Sequence, residues 1–223
     1  MKEIAADLYL LRGFPPAAIN VYLAGDVLID AATKLASRRI LRPLEGRPLS
    51  LLALTHVHPD HQGAAKAVCE ARGVPLACHR AGVDEMEGRA PIGSGDPGHP
   101  LNRLIAAAWQ GPPHEVGRTL SEGDELAGFR VIHAPGHAPS EVIFFRESDR
   151  VAICGDVVNN MNLLSGRKGF CEPPVPFTLD PAENRRSIRK LLELEPSLVC
   201  AGHGPPLRDL SGLERLVASF ERQ

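Results

Sequence analysis

Short apolar runs, bounded by Gly, Pro and Asp, recur along the first third of the chain and predict β-strands. These runs cover residues 8–11, 19–23, 27–30, 49–54 and 74–78. Two stretches, 33–41 and 63–72, instead place apolar residues at helical spacing, and each is closed by a nearby Pro or Gly. This part of the chain therefore predicts antiparallel strands followed by a strand–helix–strand unit.

The second half of the chain repeats this pattern. Residues 119–126 are predicted to form a hairpin, 129–132, 141–145, 151–154 and 198–200 to form strands, and 157–177 to be irregular. Asp180, Pro181 and Glu183 have the order of an N-cap, a first-turn proline and a glutamate three residues after the cap. They predict a helix that ends near Leu194, and a last helix is predicted over 213–220.

Residues 81–116 break the pattern, because loops rich in Gly and Pro surround one apolar helix predicted at 101–109. That helix contains the single Trp of the chain, Trp109. Two interpretations remain open for this segment: an insertion that covers a binding site, or an ordinary surface connection.

The composition is that of a globular protein, with 43% hydrophobic and 23% charged residues. No internal repeat or linker divides the 223 residues, so a single domain over 1–223 is expected. The net charge of −2 gives no general attraction to nucleic acid or to anionic membranes. No run reaches transmembrane length and the N-terminus lacks the apolar stretch of a signal peptide, so a cytoplasmic location is expected.

Three histidines and an aspartate follow the predicted strand 49–54 directly: His56, His58, Asp60 and His61. In an extended segment residues i and i+2 point the same way, so His56 and His58 can bind one ion. Pro59 then turns the chain into a helix, which directs Asp60 and His61 elsewhere, toward a second ion. Neutral imidazole and carboxylate groups suit zinc, with bonds of about 2.0–2.2 Å.

Three further polar residues share one context, a short apolar strand that ends in a turn containing Gly. They are His137 after Gly136, Asp156 after Gly155, and His203 between Gly202 and Gly204. Adjacent glycine lets the backbone approach an ion closely, and the end of a strand exposes the side chain at the rim of its sheet. Their recurrence predicts that they converge on one place.

This set of seven residues, in this order and with these glycines, resembles the metallo-β-lactamase superfamily over nearly the whole chain. The resemblance implies an α+β fold, an αββα sandwich of two mixed β-sheets flanked by helices, with two metal ions at one edge. It also implies the ligand sets. The first ion would be bound by His56, His58 and His137, the second by Asp60, His61 and His203, and Asp156 would bridge both. A bridging aspartate is typical of the glyoxalase II, lactonase, phosphodiesterase and transfer-RNA-processing branches.

The preferred function is hydrolysis of a small-molecule thioester, ester or lactone by a glyoxalase II-like dinuclear enzyme. Two cations lower the pKa of a shared water, so that hydroxide attacks the carbonyl carbon, and Asp60 would orient that water. The expected cofactors are two Zn²⁺ ions, with iron or manganese as alternatives. A mononuclear iron oxidoreductase similar to persulfide dioxygenases is one alternative, and a phosphodiesterase or nuclease, disfavoured by charge, is another.

The substrate pocket is expected to be formed by the two irregular segments. Arg167 and Lys168 are candidates to bind a carboxylate or phosphate of the substrate, although a solvated turn is an equal alternative. The candidate apolar walls are Trp109, Met161, Leu163, Leu164 and Phe170. His133 is expected to support the site rather than to bind a metal.

Overall fold

The computed structural model describes residues 1–13, 15–93, 100–162 and 165–221. Leu163 and Leu164, two of the expected pocket walls, lie outside the described residues, as do residues 94–99 of the loop before Pro100. The strands are β1 Lys2–Ala5, β2 Leu8–Leu10, β3 Tyr22–Ala24, β4 Val27–Ile29, β5 Leu51–Ala53, β6 Leu76–His79, β7 Arg118–Leu120, β8 Glu125–Leu126, β9 Phe129–His133, β10 Val142–Arg146, β11 Val151–Gly155, β12 Asn159–Met161, β13 Lys168–Cys171 and β14 Leu198–Ala201.

Helices occupy the connections between these strands. The α-helices are α1 Ser37–Leu41, α2 Pro59–Gln62, α3 Ala65–Arg72, α4 Val83–Met86, α5 Pro100–Trp109, α6 Pro181–Glu193 and α7 Ser211–Phe220. Short 3-10 turns span Arg42–Leu44, Arg80–Gly82 and Val175–Phe177. The predicted cap of α6 is present, since the Asp180 side chain accepts a hydrogen bond from the amide of Glu183 at 2.9 Å.

Two mixed sheets form the centre of the molecule. In the first sheet the strands follow chain order from β1 to β7; β1 to β4 pair antiparallel and β4 to β7 pair parallel. In the second the order is β14, β11, β10, β9, β8, where only the β14–β11 pair is parallel. The hairpin β12–β13 stands apart from both.

Successive residues of a strand face opposite layers, which explains why the strands are apolar at every position. In β4, Val27 and Ile29 belong to the apolar layer between the two sheets. Leu28, between them in sequence, packs in a second layer with Ile40 of α1 and Val68 of α3. Both faces of the first sheet are therefore buried.

The second sheet has the same construction. In β10, Phe144 points into the layer between the sheets, whereas Ile143 and Phe145 pack in a third layer with Ile188 of α6 and Leu213 of α7. The resulting order of helices, sheet, sheet and helices is the predicted αββα sandwich, and the fold prediction is confirmed.

Two sequence-based predictions of local structure are wrong. Residues 119–126 do not form a hairpin, because β7 pairs in the first sheet and β8 in the second, so the chain crosses between sheets at Ser121–Asp124. The stretch 157–177 is not irregular throughout, since β12 and β13 pair within it. In both cases the pairing partner, and not the local sequence, decides the structure.

None of the helices in the described part of the chain is both long enough and apolar enough to cross a membrane.

Candidate metal centre

The seven polar side chains singled out by the sequence lie together at one edge of the two sheets. Each follows the carboxyl end of a strand: β5 precedes the histidine motif, β9 precedes His137, β11 precedes Asp156 and β14 precedes His203. Potential ligand atoms within each of three overlapping groups lie within 4.8 Å of one another. These groups are His56, His58 and His137; His56, His61 and Asp156; and Asp60, His61 and His203.

We refer to His56, His58 and His137 as the three-histidine group, and to Asp60, His61 and His203 as the aspartate–histidine group. Asp156 lies between them. One of its oxygens, Oδ2, is 3.7 Å from Nε2 of His137 and 3.1 Å from Nε2 of His203, and Oδ1 is 3.5 Å from Nε2 of His61. The carboxylate thus reaches both groups, as a bridging ligand must.

The start of α2 divides the histidine motif between the two groups. His58 is the N-cap and has extended backbone angles, φ −93° and ψ 159°, and Pro59 occupies the first turn. Asp60 and His61 therefore lie on the helix, and their side chains leave the backbone in a different direction from His58. The predicted change of direction at Pro59 is present.

The imidazole nitrogens that face away from the centre are held by protein groups. Nδ1 of His61 is 2.9 Å from Oδ2 of Asp30, and Nδ1 of His137 is 3.3 Å from the Thr178 hydroxyl. Such outer contacts fix the orientation and tautomer of a metal-binding histidine. The remaining three are His56 Nδ1 with Thr55 Oγ1 at 3.1 Å and Glu141 Oε1 at 3.3 Å, His58 Nε2 with the Gly93 carbonyl at 2.9 Å, and His203 Nδ1 with the Ala18 carbonyl.

Three of the nitrogens that face inward have no such partner. Nε2 of His56, His61 and His137 and Oδ1 of Asp156 are buried without a hydrogen-bond partner among the described residues. Buried polar atoms are rarely left unpaired, since each unpaired atom costs about 1–3 kcal/mol. Three imidazole lone pairs and a carboxylate oxygen at one point are the donor set that a divalent cation satisfies, so these residues fit a metal site.

Burial and neighbouring charges shift the pKa values of the histidines in the centre in different directions. Burial, helped by the neighbouring imidazoles, lowers the pKa of His56 and lowers that of His137 to about 3, so both are in the neutral form that binds metals. Burial alone would lower the pKa of His61, but the carboxylates around it, Asp30 first, raise it to about 9. Metal binding at the aspartate–histidine group would therefore release protons.

Two glycines at the centre lie so close to neighbouring atoms that no side chain would fit at their positions. A Cβ on Gly202 would overlap Oδ1 of Asp156 and lie 2.6 Å from Cε1 of His61. Gly155 has φ +49°, and a Cβ there would overlap Oε1 of Glu141 and lie 2.7 Å from Oγ1 of Thr55. Close approach of backbone to the seven side chains, the predicted reason for these glycines, holds for Gly202, whereas the Gly155 backbone lies against Glu141 and Thr55, which contact His56.

The structure adds residues that sequence reasoning did not assign. Asp30, Thr178 and Glu141 are buried and contact histidines of the candidate centre, but they are distant from those histidines in sequence. For Asp30 the sequence offered one signal, because this residue directly follows the apolar strand residues Leu28 and Ile29. For Thr178 and Glu141 the sequence offers no comparable pattern.

The two expected substrate-binding side chains are exposed. Arg167 and Lys168 lie at the β12–β13 hairpin and make no ion pair with the seven side chains in the described part of the chain. The hairpin itself borders the centre, since the amide of Asn160 donates to the His203 carbonyl at 2.8 Å. A role for Arg167 and Lys168 in substrate binding, and the metal-ligand roles of the seven residues, stay predictions.

The segment 81–116 also reaches the centre. The Gly93 carbonyl contacts His58, and at the other end of the segment the Trp109 carbonyl accepts a hydrogen bond from the Lys34 amide at 2.8 Å. Part of this segment therefore borders the candidate site, which favours the first of its two interpretations.

Comparison with known proteins gives the same family. A model described as the metallo-beta-lactamase superfamily matches residues 15–203. The chain is 28% identical over 200 residues to the probable metallo-hydrolase YflN of Bacillus subtilis, covering 81% of this chain and 76% of that protein.

Solved structures share the fold. The metallo-beta-lactamase family protein TTHA1429 of Thermus thermophilus superposes with a TM-score of 0.68 and 26% identity, over 97% of this chain and 80% of that one. TTHA1623, solved in a di-iron-bound form, gives a TM-score of 0.65 and 29% identity, over 94% and 92% of the two chains. The chain therefore belongs to the metallo-β-lactamase superfamily.

Proposed function

We propose that this protein is a dinuclear metal-dependent hydrolase that acts on a small thioester, ester or lactone. The observation that carries the proposal is the convergence of unpaired, buried imidazole nitrogens on Asp156, whose carboxylate reaches both groups of side chains. A site built only for stability would be expected to pair these atoms with each other or with backbone.

The two groups would each hold one metal ion, and we propose zinc for both. Bound there, two cations supply Lewis acidity toward a carbonyl oxygen and lower the pKa of a shared water. The likeness to a structure in a di-iron-bound form supports iron as the second candidate metal. Iron would favour the alternative function, an oxidoreductase of the persulfide dioxygenase type.

Among the seven side chains, Asp60 is the one that keeps partial access to solvent, with 16% of its side chain exposed. Burial would raise the pKa of Asp60, but the hydrogen bond from His203 and the charges of His61 and His203 hold it well below its ordinary value. An ionised carboxylate at the open side of the centre can accept a hydrogen bond from the attacking water and so orient its lone pair toward the substrate. We propose this role for Asp60.

The proposed substrate is a small molecule, and no nucleic acid partner is proposed. The net charge of −2 gives no general attraction to a polyanionic chain, which supports this choice. The proposed location remains the cytoplasm.

The test is metal content followed by activity. Protein purified without added metal or chelator is expected to contain about two zinc ions per chain by elemental analysis. That protein is then assayed on thioesters, lactones and phosphodiesters, with thioester or lactone hydrolysis expected to be fastest. One iron per chain, with oxygen consumption on a persulfide and no hydrolysis, would overturn the proposal in favour of the oxidoreductase.

A further inference from the structure

A cavity of about 220 Å³ lies between the loop that precedes β3 and the segment that follows β4. Its lining is mostly apolar but includes one cationic side chain. The lining residues are Ile19, Ala32, Thr33, Leu35, Ala36 and Arg39. None of the seven residues of the candidate metal centre lines it, so the cavity is a separate feature of the surface.

Both walls of this cavity continue directly from backbone that contacts the aspartate–histidine group. The carbonyl of Ala18, next to Ile19, accepts a hydrogen bond from Nδ1 of His203. The amide of Ala31, next to Ala32, donates to the His61 carbonyl at 2.7 Å. Two residues that line the cavity, Ile19 and Ala32, are thus each one position along the chain from backbone that contacts His203 or His61.

Arg39 brings an unneutralised positive charge to this cavity. Its side chain is partly buried, and its guanidinium donates to the Arg12 carbonyl at 3.0 Å. In the described part of the chain no carboxylate lies within ion-pair distance of it. Burial lowers the pKa of Arg39, because its charge is partly removed from water.

The surrounding sequence supports an anionic ligand. Residues 31–49 contain five basic residues and a single acidic one, in a chain whose net charge is −2. That acidic residue, Glu45, lines a different cavity together with Arg38 and Arg42. It forms no ion pair with Arg39, so the charge of Arg39 is left for a bound molecule.

We propose that this cavity is a substrate subsite in which Arg39 binds a carboxylate carried on an apolar part of the substrate. The inference rests on the proposed hydrolase function and names its substrate class: an acyl thioester, ester or lactone whose acyl chain ends in a carboxylate. A planar guanidinium pairs with a carboxylate through two parallel hydrogen bonds. Leu35, whose side chain is 81% exposed, would cover the apolar chain at the mouth of the cavity.

The kinetic test uses matched substrates. N-acetylcysteamine half-thioesters of dicarboxylic acids, from succinic to suberic acid, are compared with their methyl esters, which carry no charge. For the chain length that fits, kcat/KM is expected to be about ten- to a hundredfold higher for the acid than for its ester. Arg39→Met should remove this preference, so that the kcat/KM values for the acid and its ester become equal, whereas Arg39→Lys should retain part of the preference.

Arg38→Met is the matched control, because Arg38 is the exposed neighbour of Arg39 on α1 and lines the other cavity. It should leave the preference intact. Equal loss in both variants would assign the effect to the general positive charge of this surface and overturn the subsite. No preference for the acid at any chain length would also overturn it.

A binding measurement separates this inference from the proposed function. Hexanesulfonate, a weak metal ligand with one negative charge, is titrated into the metal-loaded protein by calorimetry, with hexanol as the neutral probe. Tighter binding of the sulfonate, lost in Arg39→Met and retained in Arg38→Met, supports the subsite even if no thioester is hydrolysed. Equal binding by all three proteins overturns the subsite, whatever the hydrolase assay gives.

Discussion

The Nε2 nitrogen of His58 lies 2.9 Å from the carbonyl oxygen of Gly93. The amide of the same glycine donates to Oε1 of Glu85 at 2.9 Å. A hydrogen bond from Nε2–H to the carbonyl leaves Nδ1 of His58 as the nitrogen with a free lone pair for a metal. One residue of the segment 81–116, Gly93, thus links a side chain of α4 to a histidine of the candidate centre.

Removing the Glu85 carboxylate should therefore weaken metal binding at the three-histidine group. In Glu85→Ala the Gly93 peptide loses its anchor and His58 gains freedom, and we expect affinity for one metal to fall about tenfold. Cobalt(II) binding, followed by its visible spectrum in competition with a chelator, measures the change. Glu85→Gln keeps an acceptor oxygen and should bind almost normally, and Glu70→Ala, an exposed control, should have no effect.

Asp30 should support metal binding at the aspartate–histidine group. Its Oδ2 accepts from His61, and it also accepts hydrogen bonds from the Thr55 amide and hydroxyl. We expect Asp30→Asn to lower the affinity for the second metal about 10- to 100-fold. Asparagine is the suitable replacement because residue 30 has φ +65°, which Asn tolerates.

The prediction for Asp30→Asn is tested by measuring the metal content after dialysis against a weak chelator. One metal per chain in the variant and two in the wild type is the expected result. Asp26→Asn, on the exposed turn between β3 and β4, serves as the control and should retain both. Two tightly held metals in Asp30→Asn would contradict a supporting role for Asp30.

Asp60→Ala should abolish turnover, with kcat reduced by about 100-fold or more. The reason is the loss of the carboxylate that we propose to orient the attacking water. Kinetics are measured on protein whose metal content is shown to equal that of the wild type. A wild-type rate in such a fully metallated variant would rule out this role for Asp60.

Gly202→Ala should disrupt the centre by a steric effect alone. The new Cβ would overlap the Asp156 carboxylate, which cannot move without leaving His61. Overpacking of this kind costs about 1–3 kcal/mol of the free energy of unfolding, and loss of the second metal should accompany it. Gly46→Ala is the control: nothing lies within 4 Å of a Cβ there, so metal binding should be normal despite its positive φ.

Metal removal should lower thermal stability. Chelation leaves the inward nitrogens of His56, His61 and His137 buried and unpaired. Because metal binds the folded state, a free zinc concentration of 100 times Kd stabilises the protein by about 2.7 kcal/mol. For a chain of this size we expect Tm to rise by about 5–10 °C when zinc is restored, measured by calorimetry. An unchanged Tm would mean that the folded chain binds no zinc.

Much of the candidate metal centre could be predicted from the local sequence. His56 and His58 lie on an extended segment and point the same way, into the three-histidine group. The helix that starts at Pro59 directs the next motif residues into the aspartate–histidine group. The glycines beside Asp156 and His203 mark the close approaches that the structure contains. These features depend on residues a few positions apart, where backbone geometry fixes direction.

The apolar runs predicted strands correctly for the same reason. The prediction failed where a strand pairs with another strand that is distant in sequence. Apolar runs at every position predict strands buried on both faces, as β4 and β10 are. Residues 119–126 had the turn residues of a hairpin, but their two strands pair in different sheets. Turn chemistry does not specify which sheet a strand joins.

The sequence by itself determined the fold family, the strands that end at the site, and the seven polar residues that meet there. Only the tertiary structure decided which groups hold those residues: Asp30 for His61, Thr178 for His137, and the Gly93 peptide for His58. It also placed Arg39 at a cavity beside the centre. Neighbours in sequence share a backbone direction, whereas these contacts arise from the packing of two sheets and their loops, which no local spacing records.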